Sequence, residues 1–167
     1  MIEAIPQMAQ RAAELRREFD RSFAEPPSDE KSAAHDLLAI RLEEQHFALQ
    51  LSDIAGLFAD KKITPVPGAS GFLLGIAGFR GVIAPVYDLQ RLLGCPAVRD
   101  PRWLVMAAHA SVGFAFAAFD GQLRVSASAI TPQQQQDMQG LTSGVVQDAG
   151  LLRPIIELSR ALKAIET

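Results

Sequence analysis

Residues Pro65 to Gly94 read PVPGASGFLLGIAGFRGVIAPVYDLQRLLG, and the reading of this stretch decides the fold. It opens on a Pro-x-Pro-Gly turn, holds the single charge of Arg80 within a long apolar run, and closes on Asp-Leu-x-x-Leu-Leu. Its second half recurs. Gly81-Val-Ile-Ala-Pro-Val-Tyr-Asp-Leu-Gln-Arg-Leu-Leu93 matches Gly150-Leu-Leu-Arg-Pro-Ile-Ile-Glu-Leu-Ser-Arg-Ala-Leu162 without a gap, at an offset of 150 − 81 = 69. The same offset joins Gly75 to Gly144 and Ile76 to Val145. Two copies, not many, imply a duplicated unit and exclude a solenoid. A weaker echo at 114 − 47 = 67 links Phe47-Ala to Phe114-Ala.

Working outward, 167 residues suffice for one domain with a full core or for two small barrels sharing an interface. An apolar share of 49% and a charged share of 21% exclude wholesale disorder. A formal charge of −3 without a basic cluster gives no electrostatic reason to bind nucleic acid. The lone Cys95 excludes an internal disulfide and suits a reducing compartment. The start lacks the basic-then-apolar order of a secretory signal, and no apolar run reaches the roughly 20 residues of a membrane helix. These readings together describe a soluble, cytoplasmic protein without membrane insertion.

Upstream, Ile5, Met8, Ala12, Leu15 and Phe19 form one apolar stripe, predicting a helix over residues 2–23. That helix either packs on its own domain or docks a partner. Residues 24–34 read as a polar linker, so the division expected is 1–36, helix and linker, and 37–165, a domain of two pseudo-repeated barrels. Leu38 to Leu42 and Phe47 to Leu51 read as a hairpin. Ser52 or Asp53 then caps a short helix through Phe58, with Ile54 and Leu57 on its inner side. Asp60 to Lys62 reads as a solvated turn. Pro85 and its counterpart Pro154 cannot donate to a ladder, so each strand is expected to be an edge or bulged there. Asp88 and Glu157 begin matching helices, each three residues before an arginine. Trp103 to Ala107 and Val112 to Phe119 read as strands, Asp120-Gly121 as a hairpin turn, and Thr131 to Thr142 as a polar loop.

Reaction chemistry is not visible in this pattern. His35, His46 and His109 are isolated, with no metal-ligand spacing, so neither a metal nor a cofactor is expected. No nucleophile elbow, P-loop or dinucleotide fingerprint occurs, and a strand, not a helix, follows Gly75-x-x-Gly78-x-x-Gly81. The repeat offers a filter instead. Arg80, Phe79 and Gly78 stand opposite Ala149, Asp148 and Gln147, so they are unshared and free for an asymmetric task. In an ideal strand Ile76, Gly78, Arg80 and Val82 share a face. That face reads either as ordinary strand surface or as a cation beside an apolar rim, a combination enriched at protein interfaces.

Gly75-Ile-Ala-Gly-Phe-Arg-Gly-Val-Ile-Ala-Pro-Val-Tyr-Asp-Leu-Gln-Arg-Leu-Leu-Gly94 resembles the signature of the CheW-like domain, the adaptor of chemotaxis-type signalling. That family shows a G-hydrophobic-x-N-L-R-G core, an apolar strand with proline, and a D-L-x-x-x-L helix start. The likeness spans residues 37–165. It implies a mainly β fold of two SH3-like five-stranded barrels around a shared hydrophobic centre, with the N-terminal helix added. It implies no catalysis and no cofactor. The expected role is an adaptor that joins a methyl-accepting chemoreceptor's cytoplasmic tip to the regulatory domain of a chemotaxis-type histidine kinase. The alternative is a regulatory or inhibitory subunit that binds the kinase without bridging. By position Arg80 matches the motif arginine of receptor contact, flanked by Phe79 and Gly81, with Ile76 and Gly78 beside it; Ile54 and Leu57 are the expected kinase contacts. Gly78 replaces the usual asparagine. Ala117-Ala118-Phe119-Asp120 stands where members read V-D-x-V, and this departure together with the N-terminal helix suggests a pathway other than flagellar control, such as pilus-driven or other surface motility.

Overall fold

The computed structural model describes residues 33–69, 71–133 and 138–167, together with Arg11, Ala13, Glu14, Arg16 and Arg17, which are helical and exposed. The stripe residues Ile5, Met8, Ala12, Leu15 and Phe19 lie outside the described residues. The chain divides into two units, Met1–Ala33 and Ala34–Thr167, and the second carries the architecture that follows.

Its elements are β1 (Ala34–Leu42), β2 (Gln45–Gln50), β3 (Ile54–Ala59), β4 (Leu73–Phe79), β5 (Val82–Asp88), the short helix α1 (Leu89–Leu92), β6 (Trp103–Ala107), β7 (Gly113–Phe116), β8 (Ala118–Ser126), β9 (Ile130–Pro132), β10 (Thr142–Asp148), β11 (Leu151–Ile156) and α2 (Leu158–Glu166). They form two sheets. Barrel I has the order β3-β6-β7-β5-β4 and barrel II the order β8-β1-β2-β11-β10-β9. Each sheet therefore takes its first hairpin from one repeat and its remaining strands from the other. The repeat is a sequence unit, and the barrel is an exchange between two such units.

Closure follows the same plan in both. After β8 the chain crosses to the far edge of its own sheet, where Thr131 pairs with Val145. After β3 it does likewise, and Thr64 bridges Ile76. Barrel II counts six strands because its crossing is long enough to register as β9. The glycines at the crossing are required by it. A Cβ on Gly75 would collide with the Thr64 carbonyl, and one on Gly144 would stand 3.0 Å from the Thr131 carbonyl oxygen.

The exchange also explains the apolar runs. Strands β1, β2, β6 and β7 are covered on both faces, so they read as near-continuous hydrophobics instead of alternating. Leu38, Ile40, Leu42, Phe47 and Leu49 meet Val105, Ala107, Phe114 and Phe116 in one central cluster sealed by Leu89, Leu92, Leu158 and Ala161 of the helices. The opposite faces line the barrel interiors: Leu104 and Ala115 in barrel I, Leu37 and Ala48 in barrel II. Prolines fall where a neighbour is missing. Pairing of β5 with β7 begins at Val86, and of β11 with β2 at Ile155, each one residue after the proline.

Four local expectations give way to tertiary pairing. Leu51–Asp53 forms a single 3-10 turn, and Ile54 to Ala59 is a strand against β6, not a helix. Asp120-Gly121 is no hairpin. It is a bulge in the continuous strand β8, where the register against β1 shifts between Ala39 and Ile40. The polar loop is shorter than expected, because Thr131 and Thr142 at its ends belong to strands β9 and β10; residues 134–137 of it lie outside the described residues. Lys61 in the supposed solvated turn is half-buried, with Nζ 5.3 Å from the Phe58 ring centroid.

Candidate docking site at the barrel I hairpin

The β4–β5 hairpin turns on two residues, Arg80 and Gly81, with φ of 46° and 86°. Positive φ at both places defines the tight turn whose twist matches the strands, and glycine suits the second. Arg80 is therefore a turn residue at the barrel tip, and does not share a strand face with Ile76, Gly78 and Val82. Phe79 and Val82 pair at the base of the turn. Phe79 is buried and packs edge-on against Phe58, with centroids 5.1 Å apart. Gly56 leaves room for the Phe58 ring, because a Cβ there would stand 2.9 Å from it.

Cations ring this aromatic pair. Arg80 Cζ lies 5.9 Å from the Phe58 centroid, and Lys61 Nζ lies 6.0 Å from the Phe79 centroid. Such contacts hold a guanidinium or ammonium over an aromatic face at about 0.5–1 kcal/mol when exposed. Beside them opens a cleft of about 500 Å³ lined by Phe58, Phe79, Arg80, Val82, Met106 and His109. Its chemistry is an apolar floor with a basic rim.

The structure thus gathers Ile76, Gly78, Phe79, Arg80 and Gly81 on one hairpin. Gly78 is exposed and bare, and Ile76 is half-buried on the outer face opposite Pro85. Ile54 and Leu57 are not brought to the cleft, because they pack half-buried against the central cluster. Phe58, Lys61 and Met106 were not singled out from sequence, since each reaches the tip through pairings distant in the chain.

Two acids at matched repeat positions do different work. Asp88 is fully buried, and its Oδ1 accepts from the Gln90 N–H at 2.9 Å while Oδ2 accepts from the Val98 N–H at 3.0 Å. Burial pushes its carboxyl above the ordinary range, against the opposing pull of the Val98, Arg91 and Gln90 amides. Glu157 makes no cap and instead meets Arg160 Nε at 2.7 Å. In barrel II a further charge set was missed from sequence. Buried Arg153 reaches Asp120 Oδ2 at 3.3 Å, and the same carboxylate meets His46 at 3.4 Å and Arg41 at 3.8 Å. Only the β8 bulge frees Asp120 from the ladder to collect them. Among the described residues no group of three or more His, Cys, Asp or Glu is placed to hold a metal ion, and no helix is long and apolar enough to cross a membrane.

The described domain is two interleaved SH3-like barrels with an open cleft at one hairpin tip. The CheW-like domain model matches residues 36–166, and the chain belongs to that family. It is 26% identical over 134 residues to the chemotaxis protein CheW of Thermotoga maritima, covering 78% of this chain and 89% of that one. The chemotaxis protein CheW of Rhizobium meliloti is 25% identical over 142 residues, with 81% and 92% covered. The crystal structure of the scaffolding protein TtCheW from Thermoanaerobacter tengcongensis superposes with a TM-score of 0.66 at 21% identity, covering 74% of this chain and 88% of that chain. That likeness shows the fold.

Proposed function

We propose that the chain is a non-catalytic adaptor that couples the cytoplasmic tip of a chemoreceptor to the regulatory domain of a chemotaxis-type histidine kinase, and that it acts in the cytoplasm. The observation that carries this reading is the basic, aromatic-floored tip present on one copy of a duplicated scaffold and absent from the other. Arg80 and Lys61 over Phe58 and Phe79 suit an acidic, amphipathic helix, whose apolar side chain enters the cleft while its carboxylates meet the rim. The family membership and the names of the chemotaxis relatives support the same reading. The kinase takes the outer edge of β3, which among the described residues pairs with β6 alone; there Ile54 and Leu57 keep part of their surface free.

The test is a pull-down with a receptor tip fragment, followed by size-exclusion chromatography with the kinase domain. Arg80→Glu is expected to lose the receptor at an unchanged thermal midpoint, because its side chain is exposed. The wild type is expected to elute with both partners in one complex. Unaltered receptor affinity in the variant removes Arg80 from the site, and binary kinase complexes alone remove the bridging role.

A further inference from the structure

The cleft beside the Phe58–Phe79 pair has a wall that the β4–β5 hairpin does not form. Strand β5 runs parallel to β7, with Val86 opposite Gly113, so the turn between β6 and β7 lies at the same end of barrel I as Arg80. That turn lines the cleft with Ala108, His109, Ala110 and Ser111. Arg80 and His109 are the two ionisable side chains among the lining residues. Backbone bonds fix the turn in place. The Ala107 N–H donates to the Val112 carbonyl at 2.9 Å, and the Val112 N–H donates to the Ala110 carbonyl at 2.9 Å. The Ala108 N–H donates to the Asp53 carbonyl at 2.8 Å. His109 is exposed within this turn.

The other barrel shows that the fold does not dictate this composition. The β1–β2 hairpin holds in barrel II the place that β6–β7 holds in barrel I, since β11 runs parallel to β2 as β5 does to β7. Its turn carries Glu43 and Glu44. The barrel I turn has no acid, and its one ionisable residue is the histidine. Among the described residues His109 makes no hydrogen bond or ion pair. The charged groups on the elements around it are Asp53 in the 3-10 turn that anchors Ala108, Arg80 in the β4–β5 turn, and Lys61 over the Phe58 and Phe79 rings. Asp60, next to Lys61, is engaged by Arg102 at 3.4 Å. Histidine is the side chain whose ordinary charge change falls between pH 5 and 8. On the wall of a cleft already rimmed by cations, it adds one more only when protonated.

We infer that His109 is a conditional third cation of this site, and that docking of an acidic helix tightens as pH falls from 8 to 6. The inference rests on the adaptor reading and adds regulation to it. Its sign follows from linkage. A carboxylate of the bound helix beside His109 stabilises the imidazolium, so the complex holds that proton to higher pH than the free chain does. The gain is full below the range in which the free chain takes up the proton, and it is lost as pH rises through the range of the complex. Ordinary arginine, lysine and carboxylate side chains do not titrate in this window, so they do not imitate the slope. The expected gain is about two- to fivefold in affinity, the span of an exposed ion pair.

Titration calorimetry with a histidine-free chemoreceptor tip fragment, run between pH 6 and pH 8 at constant ionic strength, tests this. The wild type is expected to bind about two- to fivefold more tightly at the acidic end than at the basic end. His109→Gln is expected to keep the weaker affinity throughout, and His109→Lys the tighter one. The position is exposed, and thermal midpoints check that both variants fold as the wild type does. Proton NMR is expected to show the His109 imidazole titrating at higher pH with the fragment bound, with the other two histidines unmoved. A wild-type affinity that does not change with pH overturns the inference and leaves the adaptor reading standing. So does a slope that survives in His109→Gln, or an imidazole whose titration the fragment does not move. A wild type that binds the fragment at no pH overturns both.

Discussion

The β4–β5 and β10–β11 hairpins share a backbone almost residue for residue and differ in what fills the barrel beneath them. Ile76 pairs with Pro85 as Val145 pairs with Pro154, and the register shifts at Gly75 as it does at Gly144. Both turns have positive φ at two residues, 46° and 86° in one and 47° and 80° in the other. Yet Phe79 becomes Asp148, and Ala84 becomes Arg153. Barrel I closes its interior with the Phe58–Phe79 aromatic pair. Barrel II lacks those rings, and the stem of Arg153 occupies interior space beside the smaller set Leu37, Ala48, Val146 and Ile155. Backbone devices thus fix the shape, and side chains assign different properties to equal shapes.

The largest expected effect breaks that contrast from the barrel II side. Arg153 is 5% exposed, and its head has the Ile40 carbonyl at 3.4 Å and the Asp120 carboxylate. Asp120→Ala leaves this cation buried beside one long backbone contact, and is expected to cost about 3 kcal/mol in denaturant unfolding. Arg153→Leu imports barrel I logic and is expected to cost far less, because it removes the buried charge along with its need for a partner. The double variant is expected to recover most of the loss. If Asp120→Ala and Arg153→Leu cost the same and add, the pair is not coupled and the contrast between the barrels is only one of volume.

The repeat, the hairpin partners and both helix starts were legible because they rest on local pattern: glycines and prolines matched at one offset, and an acid before an apolar helix. The exchange of hairpins between barrels was not, since no residue in β1 or β6 says which repeat will cover it. Ile54, Leu57 and Phe58 have helical spacing after a capping residue, but pairing with β6 outweighs so weak a local preference. Asp120-Gly121 has the composition of a hairpin turn, and only a partner strand can make it a bulge. The residues of the β4–β5 hairpin proposed for docking form a contiguous motif in the sequence. Lys61 and Phe58 stand apart from it, and closure of the barrel brings them there.

A second way to sharpen the comparison uses the crossing glycines. Gly75 has φ 154° and its missing Cβ faces the Thr64 carbonyl, whereas Gly144 has no such φ and a looser approach to Thr131. Gly75→Ala is expected to lose about 2 kcal/mol, within the range of local backbone strain, and Gly144→Ala about half of that. Chemical denaturation of the two variants gives the order directly. Equal losses would mean that both crossings are equally tight and that the longer pairing of β9 gives no slack.

The remaining effects, down to the smallest, concern the acids that start the helices. Asp88→Ala removes two cap bonds and the tether to Val98, an expected loss of about 1–2 kcal/mol. Glu157→Ala removes a half-exposed pair with Arg160, and Arg160 keeps the Gly140 and Thr142 carbonyls at 3.2 and 3.1 Å; a few tenths of a kcal/mol are expected there. The two acids also part company in pH dependence. Asp88 is raised by burial, so the folded chain holds its proton to higher pH than the unfolded chain does. Its contribution is full below the ordinary aspartate range and is lost as pH rises through the folded value, so this site makes stability fall with rising pH. Asp88→Asn keeps one acceptor oxygen for the Gln90 and Arg91 amides but leaves the Val98 N–H unpaired. The variant is therefore expected to be offset downward at every pH, and to lose the fall across the weakly acidic range. Thermal midpoints measured across that range separate offset from slope. An unchanged slope would show that the three backbone N–H groups, and not burial, set the charge of Asp88.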